Sequence, residues 1–139
     1  MSTSDQHYQL LKTLKSQFLV FRAYLPLAIG INKQLSASLP EVDPKVLRRV
    51  IGMHTKSYRY LLEMNRTPVR FDLLGNPAGE VTETDRMYAH SVLKERNKKT
   101  NERKKAQQAE EQVRQQVLEK ERQHIQKLIQ LSEKFAPQY

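Results

Sequence analysis

The sequence predicts an α+β domain that is mostly helical, carries one small β-hairpin, and has helical extensions at both ends. Two observations predict it. Apolar residues recur at spacings of three and four in several stretches, most of them opened by a capping residue, which is the pattern of amphipathic helices. One stretch only, Arg70 to Val81, joins a short extended run to dense turn chemistry.

In chain order, Thr3 to Arg22 reads as a helix. Tyr8, Leu11, Leu14, Phe18 and Phe21 form its stripe, and Thr3 with Gln6 resembles a capping box. Tyr24-Leu25-Pro26-Leu27 breaks it. Gly30, inside the apolar run 27–31, marks a tight backbone approach; no further glycines follow at phosphate-loop spacing. Asp43-Pro44 starts a helix to about Met53 that buries Leu47, Val50 and Ile51 and turns Lys45, Arg48 and Arg49 outward. Thr82 with Asp85 caps a long helical region whose Met87, Tyr88, Val92 and Leu93 face the domain. The stripe then vanishes for about twenty residues. Val113, Val117, Leu118, Ile125, Leu128, Ile129 and Leu131 restore amphipathicity without a sustained heptad, and Pro137 lies near the end. The expected divisions are an N-terminal amphipathic helix over 1–25, a domain over 26–93, and a basic then amphipathic extension over 94–139.

The chain has 139 residues, a formal net charge of +9 and a sequence pI of about 9.9, a balance that favours a polyanionic partner. The charge is concentrated. Lys94, Arg96, Lys98, Lys99, Arg103, Lys104 and Lys105 form an accessory basic block, and the residues after it are balanced in sign. Cysteine is absent, so there is no disulfide framework, and no apolar run reaches the roughly 18–20 residues of a membrane span. No secretory signal pattern opens the chain, and the expectation is a cytoplasmic protein.

Functional chemistry concentrates between Gly52 and Val81. His54-Thr55-Lys56-Ser57 reads as a helix start whose hydroxyls cap free amides. Counting about 100° per residue from His54 places Tyr58, Leu61 and Leu62 on the buried stripe. The same count leaves Lys56, Arg59, Tyr60 and Glu63 on the polar side. An exposed aromatic among cations suits base stacking with phosphates held alongside, so Tyr60 is the expected stacking platform; packing beneath the hairpin is the alternative. Arg70 can bond two phosphate oxygens or a base edge. The candidate nucleic-acid site is therefore Lys45, Arg48, Arg49, Thr55, Lys56, Ser57, Arg59, Tyr60 and Arg70.

Enzymatic readings find little support. His7, His54, His90 and His124 have no partner at metal-motif spacing, and no nucleophile-elbow, phosphate-loop or kinase signature occurs. Asp72 and Glu80 flank the hairpin, where a turn-stabilising Asp and a solvent-facing Glu are expected. No metal, cofactor, small-molecule substrate or membrane partner is implied.

Pro26-Leu27-Ala28-Ile29-Gly30-Ile31, Leu47-Arg48-Arg49, Thr55 to Leu61 and Arg70 to Glu80 together resemble the ProQ/FinO domain, over roughly Pro26 to Leu93. Small bacterial members consist of little more than this domain. The resemblance implies a bacterial RNA chaperone. It implies binding to the base of a terminator-like hairpin and its single-stranded 3′ tail, stabilisation of small regulatory RNAs, and promotion of their pairing with messenger RNAs. The positions matching the family's RNA-binding face are Arg48, Tyr60 and Arg70, with the Thr55-Lys56-Ser57 helix start beside them. Two other classes remain open: a double-stranded DNA-binding module and a helical protein–protein adaptor.

Overall fold

The computed structural model describes residues 2–135; Pro137 lies outside them. Residues Met1–Glu95 form one compact unit and the chain from Arg96 a second. Among the described residues, six α-helices and one two-stranded sheet occur in the order α1 (Thr3–Gln17), α2 (Leu19–Arg22), α3 (Ile31–Ser38), α4 (Pro44–Thr55), α5 (Tyr58–Arg66), β1 (Val69–Phe71), β2 (Pro77–Glu80) and α6 (Glu83–Lys134).

The expected first helix is two. Phe18 has extended backbone and separates α1 from α2, and Ser2, not Thr3, caps α1 by accepting from the Asp5 amide. The break lets Leu11 and Leu14 of α1 and Val20 and Phe21 of α2 enter one core with Leu35, Leu47, Val50, Leu61 and Leu93. The boundary expected after residue 25 therefore does not divide the packing. Tyr8, expected on the stripe, is exposed, and His7 is buried in its place.

α4 begins as its sequence dictates: the Asp43 carboxylate accepts from the Lys45 amide at 2.9 Å and Pro44 fills the first turn. The helix runs through His54 to Thr55, past the expected start of the next one. Gly30 caps α3 at φ 87°, and a Cβ there would meet nothing within 4 Å. The glycine thus serves its left-handed backbone and not the close approach expected from sequence.

The hairpin pairs Val69 with Glu80 and Phe71 with Pro77, one bulge apart. Its turn is built by Asp72, whose Oδ1 accepts from the amides of Leu74 and Asn76, with Gly75 at φ 88°. Residues 26–28 lie along β1: the Phe71 amide donates to the Pro26 carbonyl and the Ala28 amide to the Phe71 carbonyl, each at 2.8 Å. Thr82 and Asp85 cap α6 reciprocally. The α6 residues that dock are Ala89 and Leu93, with Val92 half-buried, whereas Met87 and Tyr88 are exposed. Small Ala89 sets the docking phase in place of the larger side chains.

In the second unit every described residue from 97 onward is exposed, including Val113, Val117, Leu118, Ile125, Leu128, Ile129 and Leu131. No described helix is long and apolar enough to cross a membrane, and no described cluster of His, Asp and Glu could hold a metal.

Candidate nucleic-acid interface

The outward side of α4 behaves as its periodicity requires. Leu47, Val50 and His54 are buried, which leaves Lys45, Arg48 and Arg49 in solvent. These three cations, with Val46 and with Thr3 and His7 of α1, line one open groove of about 520 Å³.

At the α4–α5 junction the chain turns without a glycine. Thr55 ends α4 and its hydroxyl donates to the Gly52 carbonyl. Lys56 is the C-cap and is exposed. Ser57 is the N-cap of α5: its hydroxyl donates to the His54 carbonyl at 2.6 Å and accepts from the Tyr60 amide at 3.3 Å. Both hydroxyls are therefore engaged in capping. The amides of Tyr58 and Arg59, in the first turn of α5, lie outside the helical ladder and form a partly positive end beside Lys56.

Tyr60 and Tyr58 exchange their expected places. Tyr60 is 5% exposed and packs in the core with Leu61 and Met64, while Tyr58 is 48% exposed. The expected phase assumed that His54 and Tyr60 share a helix; His54 belongs to α4, so counting from it misplaces the buried side of α5. Tyr60 consequently does not present an open face for stacking. Its hydroxyl accepts from the Leu27 amide at 3.1 Å, and burial raises its pKa, keeping it a neutral phenol.

Arg70 is likewise engaged. One guanidinium nitrogen donates to the Leu27 carbonyl at 2.8 Å and another to Asp85 at 2.9 Å, while Nε is buried with no partner among the described residues. Bonding to Arg70, then to Thr82, lowers the Asp85 pKa. Tyr60 and Arg70 thus close on the two polar groups of one residue, Leu27, and hold the 26–28 segment against the hairpin.

Arg59 is exposed and its guanidinium sits 4.4 Å from the centroid of the Tyr24 ring. Tyr24 stacks on His54 at 4.9 Å, and His54 also meets Phe21 and Tyr60. Both His54 nitrogens are buried without a hydrogen-bond partner among the described residues. Desolvation, and then the positive charge of Lys15, lower its pKa from the ordinary 6.5 to about 4, so the ring is neutral. Sequence reasoning did not find Tyr24 or Lys15, because both reach the cluster through tertiary contacts that no local spacing announces. Of the accessory block, Lys94, Lys98, Lys99, Arg103, Lys104 and Lys105 are exposed and Arg96 is half-buried.

This is a small helical domain with a hairpin, and the exposed cations Lys45, Arg48, Arg49, Lys56 and Arg59 have no carboxylate partner among the described residues. The ProQ/FINO family model matches residues 4–108, and the chain belongs to that family. Similar curated proteins include the RNA chaperone ProQ of Aliivibrio fischeri, 39% identical over 84 residues, and that of Shewanella oneidensis, 35% identical over 86. Those matches cover 58% and 59% of this chain and 40% of each relative. The chain thus spans less than half the length of these relatives. Among solved structures, a FinO-like RNA chaperone from Neisseria meningitidis is similar with a TM-score of 0.62 and 33% identity, over 68% of this chain and 87% of that one. A ProQ homologue from Legionella pneumophila gives 0.54 and 25%, over 69% and 87%.

Proposed function

We propose that the chain is an RNA chaperone that binds structured RNA through the α4–α5 surface. In this reading it grips the base of a terminator-like hairpin and its single-stranded 3′ tail, stabilises small regulatory RNAs and promotes their pairing with messenger RNA 3′ ends in the bacterial cytoplasm. The observation that carries the reading is that Lys45, Arg48, Arg49, Lys56 and Arg59 are all exposed and none forms a salt bridge among the described residues. Unpaired cations beside a helix N-terminus suit phosphate contacts. Similarity to proteins named RNA chaperones supports RNA over DNA as the polyanion. Thr55 and Ser57 shape the junction, and Tyr60 and Arg70 position the Leu27 segment. The block from Lys94 to Lys105 adds charge without shape.

Binding should be measured with a hairpin RNA bearing a free 3′ tail, against the same hairpin without the tail and a matched DNA duplex, across a salt series. The tailed hairpin should bind most tightly, and its affinity should fall steadily with salt through counterion release. A flat salt response, or equal affinity for the DNA duplex, overturns the reading.

A further inference from the structure

Lys15, Tyr24 and Arg59 come from three separate segments and converge on one phenol ring. Lys15, in the last turn of α1, places its Nζ 2.7 Å from the Tyr24 hydroxyl and 4.9 Å from the ring centroid. The Arg59 guanidinium, from the first turn of α5, lies 4.4 Å from the same centroid. His54 stacks on the ring with its plane inclined by 20°. Arg22 donates to the carbonyls of Lys15 and Ser16 and so brings a third cation to that end of α1.

Two like charges held on one ring repel each other, and among the described residues neither Lys15 nor Arg59 has a carboxylate partner. Tyr24 itself adopts φ 56°, a left-handed backbone that a bulky residue rarely takes. The chain therefore accepts both backbone strain and charge repulsion to hold this arrangement. Burial first, and then the Lys15 charge, lower the pKa of the adjacent His54, so that ring adds no positive charge to the cluster.

We propose that Lys15 and Arg59, seated on Tyr24, form a phosphate-binding subsite that takes a backbone phosphate of bound RNA. The proposal rests on the RNA-binding reading above and extends that surface from α4–α5 to the C-terminal end of α1. A phosphate oxygen supplies the negative charge that the cluster lacks. The Tyr24 ring holds the Arg59 fork in place, and the phenol oxygen holds the lysine. Both cations are thus ordered before the ligand arrives, which reduces the ordering cost of binding.

The test uses the full chain and the tailed hairpin RNA across a salt series, with thermal melts alongside. Lys15→Gln and Arg59→Gln should each melt close to wild type, weaken binding, and reduce the slope of log affinity against log salt by about one. Tyr24→Leu changes no charge, yet should weaken binding by about tenfold because both cations lose their seat. Tyr24→Phe keeps the seat for Arg59 and should fall between wild type and Tyr24→Leu. If Tyr24→Leu fails to fold, Lys15→Gln and Arg59→Gln still decide. Wild-type affinity and slope in Lys15→Gln, with the wild-type protein binding the hairpin, overturn the subsite and leave the RNA-binding reading intact. A wild-type protein that does not bind the hairpin overturns both.

Discussion

Tyr60 shows what a single side chain can hide from a helical wheel. It is flanked by Arg59 in sequence, which suggests a polar face, yet its ring fills the core between His54 and Leu61 and its hydroxyl anchors Leu27. Tyr60→Ala should therefore cost about 3–5 kcal/mol of stability in urea melts, as truncation of a buried aromatic does. Tyr60→Phe should cost about 1 kcal/mol by leaving the Leu27 amide unpaired. Tyr58→Ala should cost no more than about 0.5 kcal/mol, because that ring is half in solvent. The opposite order would return Tyr58 to the core and restore Tyr60 as a stacking platform. His54 gives a second residue-scale expectation. Its folded pKa of about 4 lies below the unfolded 6.5, so between these values the unfolded chain binds the proton that the folded chain refuses. The stabilisation is complete above pH 6.5 and lost as pH falls toward 4, up to about 3 kcal/mol. Melts from pH 7 to 4 should show this slope, and His54→Phe should flatten it. An unchanged slope in that variant would assign the acid sensitivity elsewhere.

Among the elements, the legible ones are those whose defining contacts are local. The caps at Asp43 and at Thr82 with Asp85, the Asp72 turn and the outward cations of α4 all rest on interactions within four residues, which spacing records directly. What spacing missed is non-local. The 26–28 segment lies along β1 because Phe71 bonds both Pro26 and Ala28, partners more than forty residues away in the chain. Arg70 reads as a free fork in the sequence, but its partners are Leu27 and Asp85, and only the fold brings the three together. The same holds for α6. Met87 and Tyr88 look like its docking residues by size, yet the surface it meets admits Ala89 and Leu93. Of the nine residues expected at the α4–α5 site, the exposure of the five cations Lys45, Arg48, Arg49, Lys56 and Arg59 was legible in spacing, whereas the burial of Tyr60 and the pairing of Arg70 were not.

For the whole chain, the decisive division is between residues that share the core and residues that carry only charge. The last core residue is Leu93, and beyond Glu95 no described residue is buried. The family model nevertheless continues to 108, which takes in the basic block from Lys94 to Lys105 but not the exposed apolar stripe that begins at Val113. Packing and family extent thus stop at different places, and two truncations separate what each means. A chain ending after Glu95 should fold with a cooperative melt near that of the full chain, because it loses no core contact. It should bind the tailed hairpin more weakly and with a shallower salt slope, since it loses six cations of the block: Arg96, Lys98, Lys99, Arg103, Lys104 and Lys105. A chain ending after Gln108 keeps the block and should bind the hairpin close to the full chain, because the remaining tail carries as many acidic as basic residues. Unfolding of the shorter chain would place part of the core beyond Glu95. Equal binding by both truncations would remove the block from the RNA contact and leave the unit ending at Glu95 to account for all of it.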